Sequence, residues 1–291
     1  MNRANGKGER TDGHNPMPVF GGISMIKIAV SGAAGRMGGR NITAVKEDEL
    51  LELSGALERP LHPSLGMDAG LTAGCGALGV AITDDLNEVV KGCDVLIDFS
   101  APKVSLKNLE VCGLNGKAMV IGSTGFSAEE KALALELARE VPVVLAPNMS
   151  VGVNVVFKAL ADVAKILGDD FDVEIVEAHH KMKKDSPSGT AVRMGEVVAA
   201  ALGRDYAKVA NFHREGICGE RTKDEIGMQT IRGGDIVGDH TVYFIGMGER
   251  IELTHRAHTR DMFSHGAVRA AKWVVKQKPG LYDMQDVLGL R

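Results

Sequence analysis

The sequence predicts an α/β protein in two parts: a doubly wound parallel sheet with helices on both faces, then a smaller α+β unit with an open mixed sheet. Three observations carry that prediction. From Met25 onward, short β-branched runs alternate with longer helix-competent stretches, as parallel strands joined by crossover helices require. The first apolar run opens directly into a glycine turn and a helix. After Pro147 the texture changes to one long helical run followed by short alternating runs. A length of 291 residues agrees with two domains at roughly 150 residues each.

Five apolar strands are expected at 26–31, 51–57, 95–99, 118–121 and 143–146. Between them, 36–46, 104–114 and 129–139 read as helices. The last is introduced by Ser127 and Glu130 at capping-box spacing, which offers acceptors to the free amides of a first turn. Beyond Pro147 a helix is expected over 154–167, a strand over 171–178, and a second helix from about 190 to 202 after a polar loop. Runs at 226–231, 241–245 and 251–254 follow at hairpin-like intervals, and 262–276 is helical again, able to return to the first sheet.

Composition narrows the function. The longest apolar stretches fall far short of the ~20 residues of a membrane helix. A net charge of -4 gives no general attraction to nucleic acid or to an anionic membrane, so an anionic ligand must meet a local basic cluster. Cys75, Cys93, Cys112 and Cys218 form no CxxC pair in a chain without a secretory signal, which implies reduced thiols and a cytoplasmic location. The 36 glycines, against 8 Phe, 3 Tyr and 1 Trp, imply tight turns and close backbone approaches.

The glycine turn is the first candidate site. Gly32, Ala33, Ala34, Gly35, Arg36, Met37 and Gly38 join a strand to a helix start, where backbone amides and the helix dipole suit a pyrophosphate. The spacing is GxxGxxG, looser than GxGxxG, but Glu58 follows at the end of the second strand, where a carboxylate can accept both ribose hydroxyls. This is a Rossmann-type arrangement. Arg59 could pair with a 2′-phosphate, so NADH and NADPH are both expected cofactors. Gly122, Ser123, Thr124 and Gly125, and Ala146, Pro147, Asn148 and Met149, follow later strands, where a ligand crevice leaves room for a nicotinamide.

The second candidate is the polar loop from Glu177 to Thr190, containing His179, His180, Lys181, Lys183, Lys184 and Asp185. Adjacent histidines without a third ligand at metal spacing argue against zinc, and no metal is expected. The lysines supply positive charge, while Ser188, Gly189 and Thr190 form a helix start whose amides and hydroxyls can hold a carboxylate. An imidazole or ammonium beside a reduced carbon can deliver a proton.

This loop closely resembles the E-x-H-H-x-x-K-x-D-x-P-S-G-T region of the 4-hydroxy-tetrahydrodipicolinate reductase (dihydrodipicolinate reductase) family, and the resemblance extends over 25–291, through GAAGRMG, Glu58-Arg59, GSTGF and APNMSVGVN. The family implies NAD(P)H-dependent reduction of a cyclic dicarboxylate in diaminopimelate and lysine biosynthesis by a cytoplasmic homotetramer. It implies His179 as acid/base and Lys183 as proton donor. His180, Lys183, Ser188, Gly189 and Thr190 would contact the substrate. Gly32, Ala33, Ala34, Gly35, Arg36, Met37, Glu58, Arg59, Gly122, Ser123, Thr124, Ala146, Pro147, Asn148 and Met149 would contact the cofactor. Ala101 stands where some relatives carry a basic residue, which argues against a strong preference for NADPH.

The organisation expected is a disordered leader or extension at 1–24, a dinucleotide-binding domain at 25–150 completed by 260–291, and a substrate-binding and oligomerisation domain at 151–259. His255, His258 and Arg260 suit a hinge or interface. Two other readings share the glycine turn. A dehydrogenase of the aspartate-semialdehyde or homoserine type is one, although the former needs a cysteine at a helix start. A non-catalytic NAD(H)-sensing regulator is the other, and it leaves the 177–190 segment unexplained.

Overall fold

The computed structural model describes residues 25–291, so the expected leader lies outside the described residues. The first part runs β1 (Ile26–Ser31), α1 (Arg36–Glu47), β2 (Leu51–Leu57), α2 (Ala69–Ala73), β3 (Ile82–Thr83), α3 (Leu86–Lys91), β4 (Val95–Asp98), α4 (Pro102–Leu114), β5 (Ala118–Ile121), α5 (Ala128–Leu137) and β6 (Pro142–Leu145). Next come α6 (Val151–Leu167), β7 (Asp172–His179), α7 (Gly189–Ala201), α8 (Tyr206–Val209), β8 (Ala210–Asn211), β9 (Ile226–Arg232), β10 (Gly238–Ile245) and β11 (Arg250–Ala257). The chain ends with α9 (Asp261–Val274), β12 (Gly280–Tyr282) and α10 (Met284–Leu288).

The first sheet has the order β12-β6-β5-β4-β1-β2-β3, parallel throughout, with the order reversing at β1. Its strands are buried on both faces, so alternate residues enter opposite cores. Ile28, Val30 and Ile97 join Ile42 and Val45 of α1 and Val274 of α9. Ala29, Leu96 and Met119 join Leu106 and Leu109 of α4. The five strands expected become seven, because β3 and β12 are too short to show a periodicity in the sequence. The return of the C-terminal segment to this sheet is made by β12, which pairs with β6, and by α9, whose Gly266 packs so close that a Cβ there would meet Met149 O at 1.8 Å.

The second sheet has the order β11-β10-β7-β9-β8 and is mixed, with β10 antiparallel to β7 and β11, and β9 parallel to β7 and β8. One expectation needs correction here. The β10–β11 spacing is a hairpin, but the β9–β10 spacing is not, because the two strands flank β7 on opposite sides. The connection at 233–237 crosses the carboxyl end of β7, where Gly233 N donates to His179 O at 3.0 Å and Lys181 N to Gly234 O at 3.2 Å. Gly234 takes a φ of +52°, which favours glycine in that crossing.

α6 and α7 cover one face of this sheet, where Val153, Phe157, Leu160, Met194 and Val198 meet Val173, Ile175, Val242 and Phe244. Each helix start is capped by a serine: Ser150 Oγ accepts from Val153 N and Ser188 Oγ from Ala191 N. No helix among the described residues is long and apolar enough to cross a membrane.

Candidate active site

The helix-facing side of the second sheet changes character along its length. On β7 it carries Val173, Ile175, Glu177 and His179, and on β10 Phe244, Val242, His240 and Gly238. On β9 it carries Ile226, Met228, Thr230 and Arg232. The register aligns these rows: Ile175 lies between Met228 and Val242, whereas Glu177 lies between Thr230 and His240. One end of the face is core. The other end, under the 233–237 crossing, collects titratable groups.

Glu177 is the centre of that end, with 1 % of its surface exposed. Its Oε1 accepts from Ser188 N at 3.0 Å, Arg232 at 2.7 Å and Thr230 Oγ1 at 3.3 Å. Its Oε2 accepts from Arg232 at 2.7 Å and faces His179 Nδ1 at 2.6 Å. Burial pushes the carboxyl up, but the hydrogen bonds from His179, Arg232 and Ser188 outweigh it and hold the pKa down at about 2. The His240 ring stands edge-on to His179 with centroids 5.1 Å apart, and its Nε2 lies 2.8 Å from Ser188 Oγ.

The sequence singled out His179, His180, Lys183, Ser188, Gly189 and Thr190, and the fold gathers them between the end of β7 and the start of α7. Lys183 Nζ donates to both oxygens of Asp185, at 2.9 and 2.8 Å. His180 Nε2 is 3.5 Å from the Arg260 guanidinium, so Arg260 reaches this loop from the segment joining β11 to α9. Lys181 and Lys184 are exposed. Arg232, Thr230 and His240 were missed by sequence reasoning. Two polar residues continuing the buried alternation of Ile226 and Met228 are the signal that could have found Thr230 and Arg232.

On the first sheet, Gly32, Ala33, Ala34 and Gly35 lie between β1 and α1, and Arg36 and Met37 open α1, at the carboxyl ends of the strands. A Cβ on Gly38 would lie 2.0 Å from Gly32 O, so the turn needs glycine there. Glu58 accepts the Ala34 amide at 3.2 Å, and Arg59 beside it is exposed, with no ion pair among the described residues. Below the turn, Asn108 Nδ2 donates to Ser31 Oγ and to the buried Asp98, whose carboxyl burial pushes up.

Gly122, Ser123 and Thr124 follow β5. Gly122 lets the Phe99 ring lie against its Cα, Ser123 Oγ is paired with Ser105 Oγ at 2.8 Å, and Thr124 is exposed. Ala146, Pro147, Asn148 and Met149 follow β6, with Ala146 and Met149 buried in the core. Asn148 Nδ2 donates to Thr190 Oγ1 at 3.1 Å, which joins the strand ends of the first sheet to the start of α7.

One consequence for stability follows from His240. Burial, reinforced by His179, lowers its pKa from 6.5 to about 3, so the folded chain takes up this proton less readily than the unfolded chain. Its contribution is complete above about pH 6.5 and declines as the pH falls toward about 3. His255, lowered in the same direction by burial, adds to the effect. Between about pH 7 and about pH 5 most carboxylates stay ionised, so urea midpoints over that window should fall, and should fall less in His240→Gln. Equal slopes in the two proteins would contradict the burial of a neutral imidazole.

Comparison with known proteins gives a consistent result. The family model described as dihydrodipicolinate reductase, N-terminus, matches residues 26–149, and that described as dihydrodipicolinate reductase, C-terminus, matches 152–288. The chain is 83% identical over 267 residues to the 4-hydroxy-tetrahydrodipicolinate reductase of Geotalea uraniireducens (strain Rf4), covering 92% of this chain and 100% of that one. It is 81% identical, over the same shares, to the enzyme of the same name from Citrifermentans bemidjiense. Among solved structures it is similar to a dipicolinate-bound dihydrodipicolinate reductase from Paenisporosarcina sp. TG-14, with a TM-score of 0.70, 25% identity, and coverage of 90% of this chain and 98% of that chain.

Proposed function

The chain belongs to the dihydrodipicolinate reductase family, and from that premise we infer that it reduces 4-hydroxy-tetrahydrodipicolinate to tetrahydrodipicolinate, a step of diaminopimelate and lysine biosynthesis. The observation that carries the site reading is the Asn148–Thr190 hydrogen bond, which sets the strand ends of a dinucleotide-binding sheet against a helix start beside Lys183 and His179. The net change is the loss of the ring hydroxyl as water, with the uptake of one hydride and one proton.

The cofactor is a nicotinamide dinucleotide, and the residues present fit it. No side chain caps the first turn of α1, unlike the serine-capped α5, α6 and α7, so its leading amides remain available to a pyrophosphate. Gly38 lets the backbone close under that position. Glu58 would take the ribose hydroxyls and Arg59 a 2′-phosphate, which supports the use of both NADH and NADPH. When bound, the cofactor supplies the hydride.

The protein's part is charge and proton handling. Lys183, His180 and the Ser188, Gly189 and Thr190 turn hold the carboxylates, which lowers the cost of adding a hydride to a dianion. His179 Nε2 or Lys183 Nζ delivers the proton. The two sheets are read as two domains, 25–150 with 260–291 and 151–259, closing about Ser150 and Thr259. No metal is required.

The other face of the second sheet presents Val176, Tyr243, Ile231 and Ile245, opposite the α6 and α7 side. Its partly exposed apolar side chains support packing against further copies in a homotetramer. A cytoplasmic location agrees with a biosynthetic reaction on a small soluble metabolite. Turnover tests the activity: reduced nicotinamide should be consumed only when freshly generated 4-hydroxy-tetrahydrodipicolinate is added. Absence of consumption with both NADH and NADPH would overturn it.

A further inference from the structure

Glu177 does more than neutralise Arg232. An ionised carboxylate only accepts hydrogen bonds, and each oxygen of Glu177 already accepts one from the Arg232 fork. The 2.6 Å contact between Oε2 and His179 Nδ1 therefore requires the proton to sit on Nδ1. The neutral imidazole must then carry its lone pair on Nε2. Among the described residues His179 makes its side-chain hydrogen bond through Nδ1, and none is made by Nε2. Nε2 lies over the Cα of Gly238, where an added Cβ would be 2.9 Å away, so glycine gives the ring its place.

The same carboxylate accepts the backbone N–H of Ser188, the N-cap of α7. One buried group thus fixes both the imidazole and the head of the anion-binding turn. Arg232 also donates to Asp185 O at 2.7 Å, which ties the clamp to the loop carrying Lys183.

We propose that Glu177, clamped by Arg232, is a positioning residue that locks His179 as the Nδ1–H tautomer, with Nε2 as its proton-exchanging atom, and holds the Ser188 amide in place. This rests on the proposed function for its catalytic consequence, but not for the tautomer. In the neutral form His179 accepts a proton at Nε2, and it donates one only as the imidazolium, whose second proton Glu177 continues to hold. Lys183 and His179 are then not interchangeable, because the ammonium donates without first being charged.

The test is Glu177→Gln, studied by 15N NMR of the imidazole and by steady-state kinetics on the full chain. The amide offers a donor where Oε2 stood, so the neutral ring should switch to the Nε2–H tautomer. The expected result is Nδ1–H in the wild type, Nε2–H in the variant, and a kcat lowered at least about 10²-fold with the Kd for NADH within about threefold. Wild-type protein showing Nε2–H would overturn the proposal without any variant. A switched tautomer with near-normal kcat would overturn the positioning role. A wild type that fails to reduce the substrate yet shows Nδ1–H would instead count against the proposed function while keeping the tautomer assignment.

Discussion

Lys183→Ala should lower kcat by at least about 10²-fold while leaving the Kd for NADH unchanged within about twofold. On the proposed function the ammonium offsets the charge of a dianionic substrate and is one of the two candidate proton donors, with His179 the other. Lys181 and Lys184 are exposed, whereas Lys183 is held against the loop by both oxygens of Asp185. The substrate KM should rise and pyridine-2,6-dicarboxylate should bind more weakly, because the anion site loses a charge. Near-normal turnover would remove Lys183 from the chemistry.

Gly38→Ala should weaken NADH binding by at least about 10²-fold and destabilise the fold by about 1–3 kcal/mol. The new Cβ would lie 2.0 Å from Gly32 O, 2.8 Å from Gly32 C and 2.9 Å from Ala33 Cα. All three are backbone atoms of the turn itself, so the turn must open to admit a methyl group. Gly39→Ala is the control, since its Cβ meets only Ala73 at 3.6 Å, and loss of a helical glycine should raise stability by up to about 1 kcal/mol. A cofactor titration and a thermal melt of the two variants separate turn from helix effects. Equal behaviour would show that the turn does not bind the dinucleotide.

Much of this fold is legible because buried parallel strands must be apolar runs and their crossovers must be helices. β1, β2 and β5 and the capping box of Ser127 lie where the pattern places them. What is hidden lacks a local signature. β3, β8 and β12 have two or three residues each, and their pairing is set by distant strands. The crossing of 233–237 over β7 imitates a hairpin in spacing, and only tertiary contacts with His179 and Lys181 distinguish it.

The site divides the same way. His179, His180, Lys183 and the Ser188, Gly189 and Thr190 turn are contiguous and announce themselves. Arg232 and His240 come from neighbouring strands, and their relation to Glu177 appears only once register is known. An isolated arginine before two glycines reads as a solvated loop charge. Paired with a carboxylate that is 1 % exposed, it becomes part of the buried ion-pair network beneath the candidate site.

The proposed reaction joins a nicotinamide site on one sheet to a dicarboxylate site on the other for direct hydride transfer. The most direct measurement is mass spectrometry of the product formed with NADH carrying deuterium at both C4 positions of the dihydronicotinamide. Tetrahydrodipicolinate containing one deuterium per ring is the expected result. Unlabelled tetrahydrodipicolinate, or unchanged substrate beside fully reduced cofactor, would contradict it.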